Sequence, residues 1–160
     1  MILSFSKKLK GLGNWDFNAP EKILTGVKKH TIRLDPNQRW KDGMKIHLAQ
    51  GARTKFYKQF GEAEVAKVER LNIDMSKYPY WQSSKLIKPE MCYPFGKRYI
   101  QMTIEGSYIT IERMEQLALE DGFDSLDQML TYLGFSEQLK EHYIEGIVAS
   151  LIWFKNVKEV

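Results

Sequence analysis

Eight consecutive residues near the end of the chain, Ile147-Val148-Ala149-Ser150-Leu151-Ile152-Trp153-Phe154, carry one small hydroxyl and no charge. A strand with one wet face alternates apolar and polar side chains, so a run this uniform needs cover on both faces. It is also far too short to span a membrane. The run therefore predicts the central strand of a sheet, and the rest of the chain must supply its neighbours.

At 160 residues, 43% hydrophobic and 28% charged, there is material for one globular domain with a real core. Asn18-Ala19-Pro20-Glu21 opens a helix: Asn can cap, Pro suits the first turn, and Glu three residues later resembles a capping box. Gly26 ends it, because a left-handed conformation costs little there. Thr31 and Ile32 make the segment through Leu34 a strand. Asp42-Gly43 signals a turn before Met44, Ile46 and Leu48, which alternate as in a half-buried strand. In Glu62 to Leu71, the spacing of Val65, Val68 and Leu71 permits a helix. Tyr99 to Ile109 reads as a strand pair turning at Glu105-Gly106-Ser107. Thr110 caps a helix with Ile111, Met114, Leu117 and Ala118 on one face. Asp124 caps another with Leu126, Met129, Leu130 and Leu133, stopped by Gly134. A short helical turn is expected over 136–143.

The net charge of +4 conceals an asymmetry. Residues 1–60 hold 13 Lys and Arg against 4 Asp and Glu; residues 61–160 hold 11 against 16. Such a split suits a nucleic-acid partner for the basic half, or mutual attraction of the halves across the fold. The lone Cys92 rules out an internal disulfide framework and fits a reducing compartment. Met1 to Phe5 is too short for a signal-peptide core and no run is long enough to cross a membrane, so the expected location is cytoplasmic.

Gly26-Val27-Lys28-Lys29-His30-Thr31-Ile32-Arg33 packs three cations and a hydroxyl into one short segment, which like-charge repulsion disfavours unless an anion or water intervenes. The run resembles the signature of the ASCH family, related to the PUA-like RNA-binding barrels, in which Gly-x-Lys-x-x-Thr-x-Arg follows the first helix and lines a ligand cleft. Other stretches are similar in order and spacing: Met1 to Phe5 as first strand, Pro20 to Gly26 as first helix, and Trp40 to Leu48 as the following turn and strand. Glu120-Asp121-Gly122-Phe123-Asp124-Ser125-Leu126 resembles the family's helix junction, and Ile147 to Phe154 its closing strand. The resemblance also makes Glu62 to Leu71 a strand. It implies an α+β fold, a PUA-like mixed, mainly antiparallel β-barrel with flanking helices. One domain covers residues 1–160, with an irregular aromatic- and Pro-rich insertion at about 73–97.

Family members are RNA-associated, and some small ones are amidohydrolases that remove the acyl group of N4-acetylcytidine with a Lys, a Thr and a Glu near a helix end. By position these are Lys28, Thr31 and Glu120, with Glu115 or Glu112 as substitutes for the last. The chain departs from the small hydrolases in its length and in carrying Lys29 where a hydroxyl residue is common. Strand alternation puts Thr31 on a face with Lys29 and Arg33, so Lys28 joins Thr31 only from the turn after Gly26. A threonine nucleophile needs a base, and lysine serves only if burial or nearby cations lower its pKa. Glu120 falls about 60° beyond Leu117, at the margin of the apolar stripe.

Lys29, Arg33, Arg39, Arg53 and Lys55 are candidates for binding a nucleoside or RNA, single-stranded nucleic acid included. Trp81, beside Tyr80, is either a base-stacking platform or a plug for the barrel end. His30, His47 and His142 lie far apart in sequence with no carboxylate or thiol at metal-ligand spacing, so neither metal nor cofactor is expected. Three functions follow: a nucleoside- or RNA-binding ASCH domain that hydrolyses N4-acylated cytidine, a non-catalytic RNA or single-stranded nucleic-acid module, or a protein-interaction domain.

Overall fold

The structure, a computed structural model, describes residues 1–5, 17–35, 37–76, 87–135 and 145–160. In chain order its elements are β1 (Ile2–Phe5), α1 (Ala19–Leu24), β2 (His30–Arg33), β3 (Lys45–Gln50), β4 (Lys58–Ser76), β5 (Tyr93–Phe95), β6 (Arg98–Ile104), β7 (Ser107–Tyr108), α2 (Ile111–Glu120), α3 (Leu126–Tyr132) and β8 (Glu145–Glu159). A 3-10 turn, Pro89–Met91, precedes β5. Among the described residues no helix is long and apolar enough to cross a membrane.

The apolar run lies in β8, flanked by β2 on one edge and β4 on the other. Ala149, Leu151 and Ile152 are fully buried there, while Val148 remains exposed. Strand β4 organises the remaining strands. One edge pairs with β8 from Gly61 to Met75; the other takes β3 at its start and β6 at its end. Irregularities between Glu62 and Glu64 and between Val65 and Lys67 bend this long strand. The second one re-phases the side-chain alternation, which is why Val65 and Val68 stand at helix-like spacing in a strand. β1 adds in parallel to β3, and β5 and β7 pair antiparallel with β6.

The result is α+β with a mostly antiparallel sheet, but the sheet does not close into a barrel. No ladder among the described residues joins β1 to β2. The four-residue β2 is too short to bridge both neighbours, and a side chain spans the gap instead: Arg33 Nη2 donates to the Ser4 carbonyl at 2.7 Å.

The helices cover one side. Met114, Leu117 and Ala118 of α2 and Leu126, Met129 and Leu130 of α3 join one core with Leu71, Ile73 and Ile152. Thr110 caps α2, its hydroxyl accepting from the Arg113 amide at 3.4 Å. Ser125, not Asp124, caps α3. Asn18 sits at a left-handed position before α1 and makes no side-chain bond to the first-turn amides; its amide donates to Glu21 instead. The proposed insertion also shrinks. Residues 73–76 belong to β4 and Tyr93–Phe95 forms β5, while Tyr80, Trp81, the predicted turn over 136–143 and His142 lie outside the described residues.

Candidate functional site

Gly26 sets the geometry of the motif. It leaves α1 at φ +76°, and the turn brings the Lys28 amide to the Lys22 carbonyl at 2.7 Å. Lys28 and Lys29 thus precede the regular strand, which frees Lys28 from its alternation. The Lys29 amide donates to the Glu120 carbonyl at 2.7 Å, pinning this turn to the end of α2.

The Lys28 side chain enters the protein and is 2% exposed. Its ammonium donates to the Asp121 carboxylate, and at 2.6 Å to the Asp121 carbonyl. It also lies over the rings of Phe17 and Phe5, 5.2 and 5.8 Å from their centroids. Burial pushes the Lys28 ammonium down to about 8 against the pull of Asp121, and the positive charges of Arg33 and Lys22 add to the fall. The same burial holds the Asp121 carboxyl above its ordinary value, with Lys28 opposing the rise. Asp121 caps the C-terminus of α2, where the helix dipole disfavours an anion, so a cation is needed beside it.

Lys28, Thr31 and Arg33 line one hollow with Asp121, walled by Phe5, Phe17, Phe123 and Tyr132. Phe17 and Phe123 are 5.2 Å apart and Phe123 and Tyr132 5.4 Å apart, ring centre to ring centre. As folded, the hollow is about 10 Å³, room for roughly one water. No hydrogen bond joins Lys28 to Thr31. Arg33 stacks over Phe5 at 5.2 Å, and its Nε is buried without a hydrogen-bond partner.

Glu120 lies outside this hollow. Its carboxylate, 12% exposed, meets Lys29 at 3.4 Å, Arg113 at 3.1 Å and Gln116 at 3.2 Å. Lys29 therefore leaves the face of Thr31 and Arg33 that strand alternation assigns it. Glu112 and Glu115 are exposed on α2 and line no part of the hollow. Arg39 is tied to Asp35 at 3.2 Å, and Arg53 and Lys55 lie in the loop between β3 and β4. Trp81 lies outside the described residues.

Two residues escaped sequence reasoning. Asp121 carries a readable signal, an acid at a helix C-terminus one position from Glu120. His30 carries none. It is completely buried, its ring edge-on to Trp153 at 4.6 Å, with Nδ1 3.9 Å from Asp121 and Nε2 4.0 Å from Glu120. Neither nitrogen makes a hydrogen bond. Burial, then the charges of Lys28, Arg113 and Lys29, hold the imidazole well below its ordinary pKa, so it is neutral at pH 7.

A larger groove of about 700 Å³ lies between β4, β8 and the segment around Trp40. Its four carboxylates are each already bonded: Asp35 to Arg39, Asp42 to the Val68 amide, Glu69 to the Trp153 indole, and Glu105 to the Arg70 amide. Among the described residues no group of three or more His, Cys, Asp or Glu is placed to hold a metal ion. No family model, curated protein or solved structure matches the chain.

Proposed function

We propose that the chain is an ASCH-type nucleoside- or RNA-binding domain whose Lys28–Thr31 cleft removes an acyl group from the N4 atom of cytidine. One observation carries this. A buried lysine whose pKa falls to about 8 shares a hollow with a threonine whose hydroxyl has no hydrogen-bond partner among the described residues, and with an arginine holding a spare buried donor. With that pKa, roughly one Lys28 in ten is neutral at pH 7 and able to accept a proton.

The chemistry then runs in two halves. Neutral Lys28 takes the Thr31 proton as the hydroxyl oxygen bonds to the acyl carbon, and the negative charge that develops on the acyl oxygen meets Arg33. The Lys28 ammonium returns its proton to N4 as the carbon–nitrogen bond breaks, releasing cytidine and leaving an acylated Thr31. Water, deprotonated by Lys28, attacks that ester; the proton returns to the threonine oxygen as the carboxylic acid leaves and ionises in solvent. Asp121 rather than Glu120 holds the lysine in position. A base requires far more space than about 10 Å³, so the wall of Phe17, Phe123 and Tyr132 must part to admit it.

The smallness of the hollow, with Lys28 bonded twice to Asp121, favours a second reading: the pair staples β2 to α2, and the domain binds nucleic acid without catalysis. Incubating the folded protein with N4-acetylcytidine and following cytidine release separates the two. Catalysis predicts turnover that Thr31→Val and Asp121→Asn abolish and Glu120→Gln leaves within a few-fold. Absence of cytidine from intact protein eliminates the hydrolase, and RNA affinity that falls with added salt then supports the binding module.

A further inference from the structure

We propose that the loop joining β3 to β4 is a stacking contact for single-stranded nucleic acid, holding a base that flanks the nucleotide at the Lys28–Thr31 cleft; this rests on the nucleic-acid reading above. The segment Gly51-Ala52-Arg53-Thr54-Lys55-Phe56-Tyr57-Lys58 contains three cations and no acid. At its tip Phe56 is 75% exposed and Tyr57 is exposed beside it. Nothing in the core uses either ring.

The loop is a built turn. Gly51 stands at φ +63° and Arg53 at φ +65°. The Gly51 carbonyl accepts from the Thr54 amide at 3.0 Å and from its hydroxyl at 2.8 Å, and that hydroxyl accepts from the Phe56 amide at 3.1 Å. A ring presented by an ordered turn loses little further freedom on binding, which is where exposed aromatics gain affinity. The Lys55 ammonium lies 5.2 Å from the Phe56 ring centre, on one face, and the other face of the ring can take a base. Stacking plus nearby cations is the chemistry that holds single strands without reading their sequence.

Position supplies the second argument. The Ala52 amide donates to the Ser4 hydroxyl at 3.2 Å, while the Ser4 carbonyl holds Arg33, which lines the hollow. One residue of β1 therefore braces both the base of the loop and an arginine that lines the cleft, which makes loop and cleft neighbours for a strand bound at either. An anionic membrane surface also selects Phe with Lys and Arg, but gives no reason for that shared brace.

The test is fluorescence anisotropy with a labelled single-stranded RNA of about twelve nucleotides, titrated at about 50 and about 200 mM salt. Phe56 is largely exposed and outside the core cluster, so Phe56→Ala should keep the fold, checked by circular dichroism. It should weaken binding by roughly 5- to 150-fold with the salt slope unchanged, because a ring releases no counterions. Phe56→Trp should restore affinity, and Arg53→Ala should lower the slope by about one. Equal affinity of wild type and Phe56→Ala overturns the stacking role while leaving the nucleic-acid reading intact. Failure of the wild type to bind RNA overturns both, as does binding confined to anionic vesicles.

Discussion

Replacing Lys28 by Met keeps most of the stem against Phe5 and Phe17 but deletes the ammonium, leaving the Asp121 carboxylate, 4% exposed, without its counter-charge. Breaking a buried pair from one side costs about 3 to 5 kcal/mol, and the near-equal volume of Met keeps the packing contribution small. The loss must also depend on pH. In wild type the folded pKa of Lys28 is lowered from 10.5 to about 8, so between these values the unfolded chain binds the extra proton and wild-type stability rises with pH. In the variant, Asp121 loses the charge that opposes its raised pKa and takes up a proton more readily in the folded state than in the unfolded one. That proton stabilises the variant as pH falls. Both effects make the gap between wild type and Lys28→Met widen as pH rises, by at most about 1.4 kcal/mol per pH unit for each titrating group. Urea unfolding followed by tryptophan fluorescence from pH 5 to 10 measures it. A gap under about 1 kcal/mol, or one that stays flat across that range, would refute the buried pair as drawn.

His30 gives a pH signature of the same sign in a lower window. Its folded pKa lies well below the ordinary 6.5, so the unfolded chain binds a proton that the folded chain refuses, and stability falls as pH drops below about 6.5. Lys28, Lys29 and Arg113 repel that proton, while Glu120, Asp121 and the Leu117 backbone face the ring without reaching hydrogen-bond geometry. His30→Phe should remove this part of the acid sensitivity, read as a shallower loss of melting temperature between pH 7 and 5 than in wild type. Gly51→Ala tests the turn: a Cβ there would stand 2.7 Å from the Phe56 carbonyl oxygen, at a φ that disfavours side chains. A loss of about 2 kcal/mol is expected in urea unfolding, with RNA affinity falling as the ring loses its fixed presentation.

Local signals survived folding where a single physical rule decided them. The uncharged run gave a strand flanked on both edges, Gly26 ended α1 with a positive φ, and Glu105-Gly106 made the β6–β7 turn, both residues at positive φ. Where two neighbouring residues compete for one role, composition could not choose between them. Ser125 took the cap from Asp124, and Asp121 took the lysine from Glu120, because a helix end turns successive side chains about 100° apart and the tertiary neighbour decides which is used. Barrel closure was illegible for a different reason. It depends on whether two short strands meet edge to edge, and β1 and β2 are joined through the Arg33 side chain instead.

The charge split between the halves now divides in two. Lys28 and Lys29 are drawn to Asp121 and Glu120 at the end of α2, which is the attraction between basic and acidic segments that sequence alone allowed. Arg39 is neutralised within its own half by Asp35. Arg53 and Lys55 in the loop that carries Phe56, and Lys58 where that loop enters β4, form no ion pair among the described residues. Internal pairing therefore accounts for Lys28, Lys29 and Arg39 but not for the cations of the loop. Unpaired like charges held in one built turn repel each other unless something anionic lies against them. A phosphate backbone passing the loop would supply that anion, so affinity for RNA should respond to salt chiefly through these three side chains, and only weakly through Lys29.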